Sequence, residues 1–165
     1  MRHRSRSQEG RRKKKLLVDT NILLLYIVGS LSLDRIARHK RTGNFTAEDY
    51  RLLAGLLRRF GGIVLTPNVL SEVSNLLGHT DEQTRTALLT LLRTLVQDSE
   101  ECYVASVEAV ETREFLRLGL TDASILTLPI EELTVLTDDV HLYLALQRRG
   151  VEAINFNHVR EAAWG

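Results

Sequence analysis

The chain of 165 residues is 44% hydrophobic and 26% charged, a balance that suits one globular domain with a sizeable core and excludes a wholly disordered polymer. Its formal net charge is only +1, but residues 1–15 hold eight basic side chains against Glu9, a net +7, which leaves −6 on the remainder. The lone cysteine, Cys102, excludes an intramolecular disulfide and a zinc site built on several thiolates, and such sparing use suits a reducing cytoplasm.

The start of the chain, with Arg2, Arg4, Arg6, Arg11, Arg12, Lys13, Lys14 and Lys15, is expected to be a disordered tail attracted to polyanions such as nucleic acid. A merely solubilising tail is the other reading. Neither a signal peptide nor a membrane span is expected, because Asp19, Thr20 and Asn21 interrupt the apolar stretch Leu16–Val28. Residues 16–165 then read as one domain.

Leu16–Asp19 is the first strand, an apolar run that ends in an acid and turns at once into a helix over Ile22–Ser30. A second short helix is expected over Leu31–His39, and the basic run Arg38, His39, Lys40, Arg41 follows as a patch able to hold phosphates or as a solvated loop. Leu52, Leu53, Leu56, Leu57 and Phe60 mark one face of a helix over Thr46–Phe60, with Thr46 and Asp49 placed as a capping box. Gly61 and Gly62 stop it, Ile63–Thr66 is the second strand, and Pro67 opens a helix over Asn68–Leu77 that carries Glu72 near its start.

Thr80 or Asp81 caps a helix that runs to Asp98, and the apolar positions over 88–96 are broad enough for deep burial or for a partner interface. Cys102–Val107 fits either a strand or a loop. Val107–Leu116 is expected to be one helix with Glu108, Glu111 and Glu114 on its solvated side, and Thr121–Leu128 another, capped by Thr121 and carrying Asp122 in its first turn. Leu133–Thr137 is a strand ending at Asp138 and Asp139, Val140–Arg149 a helix, and Val151–Asn155 the last strand. Strands separated by helical crossovers predict an α/β fold, with a parallel sheet covered on both faces.

Several carboxylates thus fall at or just past the C-terminal ends of strands: Asp19, Glu72 and Asp138 or Asp139, with Asp122 in a helical first turn able to face the same place. Such acids repel one another in a cleft unless protons, bases or a cation accompany them. Oxygen-only donors without His or Cys at metal spacing favour Mg²⁺ or Mn²⁺, and a divalent ion there can bind phosphate oxygens and acidify water, so phosphodiester hydrolysis is the implied chemistry. His39, His79, His141 and His158 have no short metal-type spacing, and Ser71 and Ser74 lack a nucleophile-elbow pattern.

Four pieces in this order, Leu-Val-Asp-Thr-Asn at 17–21, Ser-Glu-Val at 71–73, Leu-Thr-Asp-Ala-Ser-Ile at 120–125 and Val-Leu-Thr-Asp-Asp at 135–139, resemble the PIN domain family, including VapC-like toxins. The resemblance spans about residues 16–157. It implies a three-layer α/β/α sandwich with a central, mostly parallel sheet, and a divalent-metal-dependent endoribonuclease. It also implies that Asp19, Glu72, Asp122 and Asp139 are the catalytic metal ligands, with Asp138 as rival to Asp139. Asn21, Thr137 and Asn155 would be supporting polar residues, with Asn157 a rival to Asn155. The RNA backbone would be drawn by Lys13, Lys14, Lys15, Arg38, Lys40 and Arg41. DNA stays open as a substrate beside RNA, because a metal-held phosphate does not itself distinguish the sugar. A homodimer and a cognate antitoxin are the partners the resemblance implies, and no membrane partner is expected. A non-catalytic RNA-binding or protein-interaction module on the same fold is the competing expectation.

Overall fold

The computed structural model describes residues 12–129 and 131–165, so the expected disorder and polyanion attraction of residues 1–11 lie outside the described residues. The elements in chain order are β1 (Lys15–Val18), α1 (Thr20–Leu31), α2 (Leu33–Arg38), α3 (Ala47–Leu57), β2 (Ile63–Leu65), α4 (Pro67–Leu77) and α5 (Glu82–Asp98). They continue with β3 (Glu100–Glu101), α6 (Ser106–Ala109), α7 (Phe115–Leu118), α8 (Leu120–Thr127), β4 (Leu133–Thr137), α9 (Val140–Arg148), β5 (Ala153–Asn155) and α10 (Phe156–Trp164). The strands form one five-stranded sheet in the order β3-β2-β1-β4-β5, and each neighbouring pair is parallel.

On β1, successive side chains point to opposite faces, yet Leu16, Leu17 and Val18 are all buried, so helices cover the sheet on both sides. The result is a three-layer α/β/α sandwich around one apolar core. α1 packs against α2, α3, α4 and α5, while α8 packs against α4, α6, α7 and α9. Among the described residues no helix is long and apolar enough to cross a membrane.

Register explains how polar groups reach one edge. Leu17 lies opposite Val64 on β2 and Val135 on β4, and Thr137 opposite Asn155 on β5. Continued to the strand ends, this register aligns Thr66, Asp19, Thr137 and Asn155 in a row, and all four are buried. Three of them cap the helix that follows: Asp19 accepts from the Ile22 N–H at 3.2 Å, Thr66 from Val69 at 3.2 Å and Asn155 from Asn157 at 2.9 Å. After β4 the cap is Asp139, which accepts from His141 and Leu142 at 2.7 and 3.2 Å. Four helix N-termini therefore converge on the C-terminal edge of the sheet, each with a partial positive charge.

Three features depart from the sequence expectations, and a fourth bears on two alternatives left open. The single helix expected over Val107–Leu116 is two short helices, α6 and α7, joined by tight turns. Glu114, expected on the solvated side, is turned inward: it is 5% exposed and accepts from Arg149 at 2.7 Å. Thr121 does not cap α8, because the chain enters that helix through Gly119 at φ +83° and the Thr121 hydroxyl is used elsewhere. The two-residue edge strand β3 and the terminal helix α10 add elements that the apolar pattern does not mark. On α5, Leu88 and Leu92 are buried and Leu89, Leu91 and Leu95 half-buried, so most of its broad face is spent inside the chain and only Val96 is exposed.

The terminal helix is tied down through Arg160. Its guanidinium donates two parallel bonds of 2.9 Å to the carboxylate of buried Asp49, and further bonds to the Asn157 side chain and the Asn44 carbonyl, while it stacks 5.0 Å over the Phe45 ring. Burial pushes the Asp49 carboxyl up, but Arg160 and the Thr46 N–H outweigh it and hold the group below its ordinary value. Replacing Arg160 with Ala leaves that carboxylate buried without its cation, and is expected to cost about 3 kcal/mol in urea unfolding, with Arg160→Lys in between. A loss within 0.5 kcal/mol, as for an ordinary surface site, would mean the fork contributes little.

Candidate functional site

The sheet order places β2 and β3 on one side of β1, and β4 and β5 on the other, so the chain reverses its direction of winding between β1 and β4. In open α/β sheets the crevice for ligands forms outside the carboxyl ends of the strands at such a switch point. Here a cavity of about 220 Å³ opens at that place, lined by Asp19, Asn21, Glu72, Asp122, Asp138 and Asp139 together with Thr20, Thr121 and Arg41. Acids from four separate stretches of chain meet in it.

Asp19 is the most constrained of them. It ends β1, its own N–H donates to the Leu136 carbonyl at 3.2 Å, and its Oδ1 caps α1. Its Oδ2 accepts from the Thr137 hydroxyl. Thr137 Oγ1 in turn accepts from the Asp139 N–H at 2.9 Å. One hydroxyl thus couples the acid of β1 to the acidic turn after β4.

The other acids have local supports. Glu72 accepts from Thr20 Oγ1 at 2.8 Å and from the Thr121 hydroxyl, which ties α4 to the first turns of α1 and α8. Both oxygens of Asp138 face the Asn21 amide at 3.3 Å, and its backbone carbonyl accepts from Asn157 Nδ2 at 3.0 Å. Asp139 spends Oδ1 on the cap of α9. Asp122, half-buried in the first turn of α8, receives no hydrogen bond on its carboxylate among the described residues.

Charge accumulates accordingly. Burial first, and the Asp138 charge second, raise the Asp19 carboxyl to about 8 against the pull of Thr137 and the Ile22 N–H. Burial, then Asp139, Glu72 and Asp138, raise Asp122 to about 7. Asp138 is raised too, by burial above all, although the Asn21 amide opposes it. The crowding has two centres, Asp19 with Asp138 and Asp122 with Asp139 and Glu72.

This donor set fits a hard divalent cation by chemistry and by charge: it offers oxygens only, and a positive ion would relieve the repulsion that lifts the carboxyl pKa values. Among the described residues, though, no group of three or more His, Cys, Asp or Glu side chains stands in a metal-holding arrangement. Asp19 and Glu72 each have both oxygens engaged by local donors, and Asp139 has one.

Of the remaining residues singled out in sequence, Asn155 lies at the same sheet edge but spends its side-chain oxygen on the α10 cap and does not line the cavity. Its rival Asn157 reaches the cavity rim through Asp138. Arg41 lines the cavity, whereas Arg38 and Lys40 line a neighbouring one. Lys13, Lys14 and Lys15 sit at the opposite, N-terminal edge, about 13 Å of strand away, where Lys14 pairs with Glu152 and Lys15 with Glu100. Sequence reasoning missed Thr20 and Thr121 as supports of Glu72. Their signal is adjacency, since each stands next to an acid of the cavity.

No protein-family model matches the chain, and no curated protein matches it.

The raised carboxyls give a stability signature with a definite sign. The folded chain keeps protons on Asp19 and Asp122 that the unfolded chain releases near the ordinary 3.8. Their contribution is therefore present at acid pH and is lost as pH rises through about 7 and 8. Asp122→Asn should leave stability little changed at pH 4 and raise it by about 1–3 kcal/mol at pH 8 in metal-free urea unfolding, after allowance for solvent screening. An equal difference at both pH values would contradict the assigned repulsion.

Proposed function

We propose that this chain is a divalent-cation-dependent phosphodiester hydrolase that acts on RNA, as the resemblance to PIN-domain ribonucleases implies. The observation that carries the reading is the meeting of Asp19, Glu72, Asp122, Asp138 and Asp139 in one cavity at the switch point of a parallel sheet, with two of the carboxyls held well above their ordinary range. An acidic cavity by itself repels a phosphate ester. It becomes useful to one when a cation stands between them.

Asp19, Glu72, Asp122 and either Asp138 or Asp139 would hold Mg²⁺ or Mn²⁺. When bound, such an ion supplies positive charge against phosphate oxygens and makes a water more acidic. The chain's own residues do the rest. Thr137 holds Asp19 in a single orientation, Asn21 holds Asp138, and the hydroxyls of Thr20 and Thr121 hold Glu72. Arg41, at the mouth, offers the substrate backbone a cation where the body of the protein is acidic. A toxin role with a cognate antitoxin, and a homodimer, extend the same reading and stand on the resemblance alone.

A second reading is favoured by one observation, that the carboxylates of Asp19 and Asp139 already serve as caps of α1 and α9. On it the domain is a non-catalytic binding module whose acids are structural caps and whose basic surface engages RNA. Metal titration separates the two. A hydrolase binds Mn²⁺ with loss of affinity in Asp122→Asn, and a pure module binds none at millimolar concentration.

The direct test is cleavage of end-labelled RNA in Mg²⁺ and in Mn²⁺. Asp19→Asn is expected to lower the rate by about 100-fold or more, the equivalent of ~3 kcal/mol of lost charge stabilisation. Chelation by EDTA should abolish cleavage by the unaltered protein. Unchanged activity in Asp19→Asn would remove this site from the reaction.

A further inference from the structure

The peptide that joins Asp138 to Asp139 is bonded on both of its polar groups. Its N–H donates to Thr137 Oγ1 at 2.9 Å, and its C=O accepts from Asn157 Nδ2 at 3.0 Å. A peptide unit is planar and moves as one piece, and the two acids branch from its two ends. The orientation of this one plane therefore sets the direction in which both side chains leave the backbone. Their like charges repel, so a turn held on one side only would be free to open.

The two holds come from different parts of the fold. Thr137 belongs to β4 and bonds to Asp19 at the end of β1. Asn157 belongs to the first turn of α10, and its amide is fixed in one sense. The amide oxygen accepts from Arg160 Nη1 at 3.1 Å, three residues on and so on the same face of the helix. Turned over, the amide would set its N–H groups against the guanidinium and its oxygen against the Asp138 carbonyl, and both bonds would be lost.

Arg160 divides its nitrogens between two duties. Nε and Nη2 form the fork on Asp49, and Nη1 serves Asn157. The fork fastens α10 to α3, while the third arm ends, through Asn157, on the turn that bears the acids. A lysine at this position would supply the charge without the third arm.

We propose that Arg160 is a positioning residue of the acidic cavity: acting through Asn157, it fixes the Asp138–Asp139 peptide and thereby the aim of both carboxylates. The clamp itself does not depend on the chemistry of the cavity, whereas its value to a bound cation rests on the hydrolase reading above.

The experiment compares the unaltered full chain with Asn157→Ala, which leaves the fork on Asp49 whole, and with Arg160→Lys, which keeps the charge. In EDTA, amide hydrogen exchange is followed by NMR at Asp139, whose N–H lies in the clamped peptide, and at Val69, whose N–H bonds to Thr66 at the start of α4. Asn157→Ala is expected to speed exchange at Asp139 about 10-fold and to leave Val69 unchanged. Arg160→Lys, less stable overall, should speed Asp139 more than Val69. Mn²⁺ affinity, read by EPR, is expected to fall about 10-fold in both variants. Unchanged exchange at Asp139 in Asn157→Ala would overturn the proposal. So would equal acceleration at Asp139 and Val69, the mark of a general loss of stability, and so would full Mn²⁺ affinity in Asn157→Ala. If the unaltered chain binds no Mn²⁺, the hydrolase reading falls, and exchange at Asp139 alone decides the clamp.

Discussion

The hydroxyl of Thr137, set between the Asp139 N–H and the Asp19 carboxylate, is the contact on which the arrangement of the site depends. It spans β1 and β4 at the point where the sheet changes its direction of winding, and it holds a buried acid in place there. Without a donor of this kind, a carboxylate at the end of a fully buried strand would be costly to keep. With it, Asp19 is held among further acids that raise its proton affinity. Local hydrogen bonding makes the position tolerable, and the neighbouring charges keep it unsatisfied. That combination is what gives a cation, or a proton, something to do in this cavity.

The rest of the fold serves the same edge. Parallel register brings Thr66, Asp19, Thr137 and Asn155 into one row, and a side chain at the end of β1, β2 and β5, or just past the end of β4, caps the helix that follows. Capping directs helix N-termini toward the cavity, so the backbone itself adds positive potential where the acids collect. α10 closes the far side: Arg160 fastens it to Asp49, and Asn157 passes that anchorage to the backbone of Asp138. On the opposite flank, α2 and the turn after it bring cations to the cavity mouth through Arg41.

Much of this was legible in residues whose chemistry is local. Leu16–Val18 read as a buried strand because it is wholly apolar, and the Thr46/Asp49 capping box and the Pro67 helix start are spelled out within four residues. Asp19, Glu72, Asp122 and the Asp138/Asp139 pair were found because each follows a strand or opens a helix, and parallel crossovers bring such positions together. What escaped depended on long-range partners. Glu114 looks like one more solvated glutamate until Arg149, 35 residues away, is placed beside it. Thr121 has the composition of a cap, but Gly119 at positive φ makes a different entry to the helix and frees the hydroxyl for Glu72. β3 carries no apolar signal at all, whereas Lys14 and Lys15, just before the first strand, are legible as lying at its entry, the end opposite Asp19.

The central claim is that these acids share a cation. A crystal grown with Mn²⁺ and measured for its anomalous signal tests it most directly. The account predicts a peak in the cavity at about 2–2.5 Å from carboxylate oxygens of Asp19 and at least one of Asp122, Asp138 and Asp139. A crystal holding Mn²⁺ at other surface carboxylates, with no peak among these residues, would contradict it.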